Sequence, residues 1–418
     1  MSLSQKVEAL VAREAGQMPH DRGWMAVAVN EAWRSRRSVS PRPWVGAVVV
    51  GDDVVISTPL SALPTVVSRF GSARPPGHPA PGEVPPGAFA GRTQGREGPH
   101  AEVDAIRAAG DAARGATLYA TLEPCSHHGA TPPCADAVIE SGIRRVVVGI
   151  EDPDPQVAGR GLARLEQAGI EVTTGVLAPV IEAQLTPYLH HRRAGRPYVV
   201  LKLAATLDGR TAAPDRTSQW ITTQEARADA HRLRADSDAI AVGAGTVRAD
   251  DPSLTVRLPP GEADGLDPRR VVLGQAPPGA KVHPCVEHAG DLGALLDELG
   301  DRGVLQLLVE GGAGVAHDVH AAGLVDRYVI YLAPALFGGD DAQPMFSGAG
   351  APTMSDLWRG RYDSYPQLLG GDVRLDLVPI HDAGEPQARE AVNRQAADQG
   401  SGEPSGRFDR PSGEEQED

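Results

Sequence analysis

The residues with the most chemistry to offer lie between Pro99 and Cys134. His100 and Glu102 stand in Pro99-His100-Ala101-Glu102, and Cys125 and Cys134 end the run Cys125-Ser126-His127-His128-Gly129-Ala130-Thr131-Pro132-Pro133-Cys134. One imidazole and two thiolates are three good zinc ligands, and three protein ligands leave the fourth tetrahedral position to water, as catalytic sites do. Zinc brings the pKa of such a water to about 7, and a carboxylate beside a ligand can shuttle its protons. Hydrolytic deamination is the chemistry this permits, with Glu102 as acid/base rather than ligand. A structural zinc knot is the competing reading, with His127 or His128 as fourth ligand, but such knots rarely carry an H-x-E triplet. Cys285, distant in sequence, is read as inert.

The H-x-E and P-C pieces match the zinc deaminase signature, yet eight residues separate the two cysteines where most base deaminases have two. With that longer spacing, His100-Ala101-Glu102 followed by Thr121-Leu122-Glu123-Pro124-Cys125 and the run to Cys134 resembles the deaminase half of the bifunctional riboflavin-biosynthesis deaminase/reductases. The resemblance implies a cytidine-deaminase-like domain with one zinc per chain on His100, Cys125 and Cys134. It makes Glu102 the catalytic acid/base and puts His127 and His128 on a loop near the substrate. One departure stands out: Ser40-Pro41-Arg42-Pro43 occupies the place of the family's Ser-Pro-Asn-Pro. An amide expected to touch the pyrimidine is thereby lost.

A second resemblance begins at Tyr198-Val199-Val200-Leu201-Lys202-Leu203-Ala204, a buried strand ending at Leu207-Asp208-Gly209. It resembles the opening of the same family's reductase domain, which has a dihydrofolate-reductase-like fold. From the residues alone, Lys202 reads as a lysine snorkelling from a strand edge. The segments Ser218 to Thr222, His231 to Arg234 and Gly245 to Arg257 follow in family order, as does Glu310-Gly311-Gly312-Ala313-Gly314. By this resemblance Lys202, Ser218, Arg234, Leu254, Arg257 and Glu310 contact the substrate. Ala204, Trp220, Thr246, Asp250, Gly312 and Gly314 contact NADPH. Arginines suit a ribosyl phosphate because a planar fork meets its oxygens bidentately.

These residues need an α/β frame, and strands alternating with helices supply one. Asp21 is expected to cap a helix from about Arg22 to Arg37. Trp44 to Val50 and Val54 to Ser57 read as paired strands, and Pro59 to Gly95, with eight prolines and six glycines, reads as a long surface loop. Strands are expected at 117–121, 145–150, 172–176, 239–243 and 304–310, and helices at 134–141, 159–168, 178–193 and from Gln224. The residues from Gly245 to Arg257 read as polar loop. The organisation expected is a deaminase domain over 1–175, interrupted by the 59–95 insertion, a reductase domain over 176–381, and a disordered acidic tail over 382–418.

With 55 acids against 40 bases the formal net charge is −15, which disfavours nucleic acid as a partner. No apolar run is long enough for a bilayer, no signal-peptide core opens the chain, and three cysteines leave no disulfide framework. A cytoplasmic enzyme acting on a small phosphorylated pyrimidine follows, with homo-oligomerisation left open. The alternative is a reductase whose deaminase half is an inactive, zinc-held scaffold.

Overall fold

A computed structural model describes residues 19–51, 54, 84, 86–127, 132–155, 157–259, 262 and 267–380. The strand expected beyond Val54, most of the Pro/Gly-rich segment, His128 and the acidic tail lie outside the described residues.

Helix α1 (Pro19–Ser35) lays Trp24, Met25, Ala28 and Ala32, all fully buried, on the first sheet. That sheet is built from β1 (Gly46–Val50), β2 (Ala88–Arg92), β3 (Thr117–Leu122), β4 (Arg145–Ile150) and β5 (Glu171–Thr174), in the order β2-β1-β3-β4-β5. β1 runs antiparallel to both neighbours, whereas β3, β4 and β5 are mutually parallel. Between the strands lie α2 (Ala101–Ala109), α3 (Cys134–Ser141) and α4 (Arg160–Gln167). β1 and, after Arg145, β4 are buried on both faces, so their sequences are continuous apolar runs rather than alternating ones.

Two expectations fail here. The partner of β1 is Ala88–Arg92, taken from the stretch read as loop. Glycine content hid it, and Gly91 is there for contact: a Cβ at that position would lie 2.3 Å from the Ala105 nitrogen and 2.4 Å from the Ala101 oxygen of α2. Asp21 is no cap either. It sits inside α1, 3% exposed, and its carboxylate accepts from Arg145 Nη1 and Nη2 at 2.8 and 2.9 Å and from the Tyr119 hydroxyl at 2.9 Å.

The expected helix over 178–193 is two, α5 (Ala178–Gln184) and α6 (Thr186–Ala194), because Pro187 in the first turn of α6 lacks the N–H that would continue α5. Ile181, Leu185, Tyr188 and Leu189 from this pair join the core of the first sheet.

The second sheet follows from β6 (Tyr198–Thr206), with β7 (Arg210–Ala212), α7 (Gln224–Ala235), β8 (Ala239–Gly243), α8 (Ala244–Asp250), β9 (Arg269–Leu273) and β10 (Val286–His288) next in the chain. After these come α9 (Leu292–Asp301), β11 (Gln306–Val309), α10 (Ala313–Ala321), β12 (Arg327–Ala333), β13 (Gln343–Pro344), β14 (Gly360–Tyr362), β15 (Gln367–Leu369) and β16 (Asp372–Pro379). The strand order is β10-β9-β8-β11-β6-β12-β16-β14, and the six strands from β10 to β12 are parallel. Their carboxyl ends therefore share one edge, where open α/β sheets bind ligands. α8 corrects the loop reading of 245–257: Ala244 and Val247 bury one side of it, an i, i+3 face too short to show as a period.

Arg36 and Arg37, just past α1, both reach Asp236 Oδ1 at the end of α7, at 3.1 and 2.6 Å. Both halves lie within one unit, Met1–Val378. No helix among the described residues is long and apolar enough to cross a membrane.

Replacing Asp21 by alanine leaves the Arg145 guanidinium, 11% exposed, without its bidentate partner. Breaking a buried pair from one side costs about 3 kcal/mol or more, measurable by urea unfolding at neutral pH. The arginine also holds the Asp21 pKa below its ordinary 3.8, against the opposing effect of burial. The folded-state pKa is depressed, so this contribution is complete above about pH 4 and is lost as the pH falls further. Equal wild-type and Asp21→Ala stabilities at pH 7 would remove the pair from the account.

Candidate metal and reductase sites

His100 is the residue before α2, Cys134 the first residue of α3, and Cys125 lies on the loop after β3. Their donor atoms all fall within 4.8 Å of one another. His100 Nδ1 is 3.7 Å from Cys125 Sγ, close to the roughly 3.5 Å that a tetrahedral zinc with sulfur at about 2.3 Å and nitrogen at about 2.0–2.1 Å imposes. The donor set and its spacing fit zinc. The Cys134 N–H donates to Cys125 Sγ at 3.4 Å, so the start of α3 faces the sulfur with a donor and a positive helix end. The Cys125 thiol is pulled below its ordinary value by the Cys134 thiol, which donates to it, and next by His100, while burial opposes.

Glu102, in the first turn of α2, is 3% exposed. Burial pushes its carboxyl up to about 7, against the pull of His100, which is where an acid/base for neutral pH belongs. Arg42, His100, Glu102, Cys125, His127 and Arg192 are among the residues lining a cavity of about 300 Å³.

Cys125 is positioned by a residue the sequence reading passed over. The Glu123 carboxylate, 3% exposed, accepts backbone N–H groups from Asp152, Gly159, Gly161 and Leu162 at 3.3, 2.9, 2.9 and 3.4 Å. It holds the Pro124-Cys125 turn against the start of α4, where a Cβ on Gly161 would lie 1.9 Å from the Pro124 oxygen. An acid immediately before Pro-Cys at the end of an apolar strand was the available signal.

Arg42 does more than replace an amide. Its Nη1 donates to the carbonyls of Gly95, Arg96 and Gly98 at 3.3, 3.1 and 2.9 Å, tying down the segment that leads into His100. Its Nη2 is buried with no hydrogen-bond partner among the described residues. Burial lowers its pKa, opposed by the charges of Cys134, Glu102 and Cys125.

At the carboxyl edge of the second sheet, Val309 pairs with both Leu201 and Ala241, so Glu310 emerges between β6 and β8. Its Oε2 lies 3.6 Å from Lys202 Nζ. Arg234 grips both its oxygens, at 2.7 and 3.0 Å, and gives Nη1 to the Thr255 carbonyl at 3.1 Å. Burial would raise the Glu310 pKa, but Lys202 and then Arg234 outweigh it and hold it at about 2. Lys202 is thus an ion-paired residue, not a snorkelling one. The exposed Arg257 donates its backbone N–H to His231 Nδ1 at 3.2 Å. His231 is held down to about 4 by burial and by Arg234 and Arg257, so it is neutral at physiological pH.

Gly312 caps α10, and a Cβ there would lie 3.4 Å from Thr246 Oγ1 on α8, so these two residues face each other. Around Gly314 and Gly245 there is open space. Helix starts flanked by glycine are suited to a pyrophosphate. Ala204 is half-buried on β6, Ser218 is half-buried, and Asp250 is exposed at the end of α8. Trp220 is two-thirds exposed, with the Arg227 guanidinium 4.5 Å from its ring. Leu254 buries its side chain in the core with φ 54°, which leaves only its backbone to meet a ligand.

Glu123→Gln turns an amide N–H₂ toward backbone donors and should weaken zinc binding about 10- to 100-fold without removing a ligand. Chelator competition reads this, and an unchanged affinity would reduce Glu123 to a bystander. Arg42→Asn removes the three carbonyl contacts. The Gln94 amide, bonded to the Pro99 oxygen at the neck of that segment, should then exchange with solvent about tenfold faster, as loss of about 1.4 kcal/mol of charged hydrogen bonding implies. Unaltered exchange would show that Arg42 does not hold the segment.

Residues 18–150 match the cytidine and deoxycytidylate deaminase zinc-binding region, and residues 197–359 match the RibD C-terminal domain. The riboflavin biosynthesis protein RibD of Bacillus amyloliquefaciens is 37% identical over 391 residues, covering 85% of this chain and 95% of its own. Acinetobacter baumannii RibD (form 1) superposes with a TM-score of 0.75 at 34% identity, covering 87% of this chain and 99% of its own. The diaminohydroxyphosphoribosylaminopyrimidine deaminase/5-amino-6-(5-phosphoribosylamino)uracil reductase of Thermotoga maritima does so with a TM-score of 0.70 at 30% identity, covering 86% and 99%. With a cytidine-deaminase-like half and a reductase half in that order, the chain belongs to the RibD family of bifunctional riboflavin-biosynthesis deaminase/reductases.

Proposed function

We infer that this chain deaminates a diaminohydroxyphosphoribosylaminopyrimidine hydrolytically and then reduces the opened ribosyl chain to ribityl with NADPH. The observation that carries the reading is the convergence of His100, Cys125 and Cys134 donors, with His100, Cys125 and the buried Glu102 at the wall of one cavity. A zinc ion held by these three supplies the Lewis acidity that makes water a nucleophile near neutral pH. Glu102 takes the water's proton and returns it to the departing amine, which leaves as ammonia. The Arg42 Nη2, with no acceptor among the described residues, is a donor for the pyrimidine where the family's amide would stand. The complete donor set disfavours the reductase-only alternative.

In the second half, Thr246, Gly312 and Gly314 are the residues we assign to NADPH, with Ala204, Trp220 and Asp250 around them. The paired Lys202 and Glu310, with Ser218 and the Leu254 backbone, hold the ring-opened substrate, whose imine carbon receives the hydride. Arg234 is engaged by Glu310 and Thr255, so Arg257 is the arginine that meets the phosphate. The deaminase half covers about 1–175 and the reductase half 176–381, in a cytoplasmic enzyme.

The test follows ammonia release and NADPH oxidation separately on the purified chain. Glu102→Gln should keep its zinc and lose deamination by about 100-fold or more, because only proton transfer is removed. Chelation of the wild type should abolish ammonia release yet leave NADPH oxidation on the deaminated substrate intact. Normal deamination by Glu102→Gln, or loss of NADPH oxidation in a chelated but folded enzyme, would overturn the assignment.

A further inference from the structure

His283, Cys285 and Glu287 stand at every second position from the bend at Pro284 into the edge strand β10. Their donor atoms lie within 4.8 Å of one another, the same bound that the His100, Cys125 and Cys134 donors meet. Cys285 Sγ is 3.5 Å from His283 Nδ1, the separation that tetrahedral zinc imposes on a sulfur and a nitrogen ligand.

The surroundings orient these side chains for ligation. His283 Nε2 lies 3.2 Å from the Pro277 carbonyl, which can only accept, so Nε2 carries the hydrogen and Nδ1 turns its lone pair toward Cys285. An imidazole that donates its far N–H to a backbone carbonyl is how metal-bound histidines are held. Glu287 uses Oε1 to accept the Ala276 N–H at 2.9 Å, which leaves Oε2 for another partner. Both anchors, Ala276 and Pro277, belong to the connection between β9 and β10.

We propose that His283 Nδ1, Cys285 Sγ and Glu287 Oε2 form a second metal site for a borderline divalent ion, zinc first, with solvent completing the tetrahedron. One imidazole, one thiolate and one carboxylate are a zinc or cobalt donor set rather than a magnesium or calcium one. Binding releases the Cys285 thiol proton to solvent as the metal–sulfur bond forms. His283 and Glu287 are exposed and Cys285 half-buried, so the ion can enter from solvent. Its effect is to pin the β9–β10 connection to the sheet edge, independently of the deaminase zinc.

Zinc content of the full chain, after dialysis at micromolar free zinc, decides the matter. The wild type should hold two equivalents, and Cys285→Ser and Glu287→Gln one each. The second equivalent should raise the melting temperature of the wild type and of neither variant. Cobalt added to the wild type should give thiolate-to-cobalt absorption that is reduced, not abolished, in Cys285→Ser, since the first site keeps its own two sulfurs. One equivalent in the wild type, or two in a folded Cys285→Ser, would overturn the proposal.

Discussion

Four backbone N–H groups converge on one buried carboxylate, Glu123, and the geometry of the first site depends on it. A carboxylate placed there without donors would be strongly disfavoured, because an isolated charge loses its hydration on burial. With them, it binds the end of β3 to the connection between β4 and α4. The following residues inherit that fixed position. The Cys125 carbonyl accepts from Ala135 at 3.1 Å and its sulfur from Cys134, so the loop in turn seats the first turn of α3. Two cysteines nine positions apart are thus placed by one acid that is not itself among the three candidate ligands.

The deaminase cavity is also joined to the other half. Arg36 stacks on Trp33 at 3.9 Å and, with Arg37, pairs with Asp236 at the end of α7. Next along the chain, Asp238 accepts from the backbones of Leu305 and Gln306 at the start of β11. α7 carries Arg234, and β11 leads to Glu310. The segment that begins with Arg36 and Arg37 ends at Arg42 on the deaminase cavity, so part-buried ion pairs and carboxylate–backbone bonds connect elements of both sites. Pairs of this kind fix one arrangement more than they add net stability, since desolvation offsets much of their attraction.

Much of this was legible because the relevant signals are local. The candidate ligands and Glu102 lie within 35 residues, and the strands at 117–121, 145–150 and 239–243 were read close to where β3, β4 and β8 lie. What escaped was decided by contacts distant in the chain. Ala88–Arg92 became a strand through its pairing with β1 and the approach of α2 to Gly91, neither visible in a Gly- and Pro-rich stretch. Asp21 looked like a cap because its partner Arg145 lies 124 positions away. Arg234 was assigned to substrate by resemblance, and the fold adds that its fork engages Glu310.

The two sites are therefore held by different physics. In the second half the sheet register does the positioning. Val309 opposite Leu201 and Ala241 sets Glu310 beside Lys202, and a one-residue slip of β11 would turn the acid to the other face and break every backbone pairing of a central strand. In the first half the ligands come from loops and helix starts, fixed by Glu123, by the Arg42 contacts and by close glycine packing. Changes in the loops around 95–98 or 152–161 should therefore reach the deaminase chemistry first. The reductase cluster is protected by six parallel strands whose hydrogen bonds form or fail together.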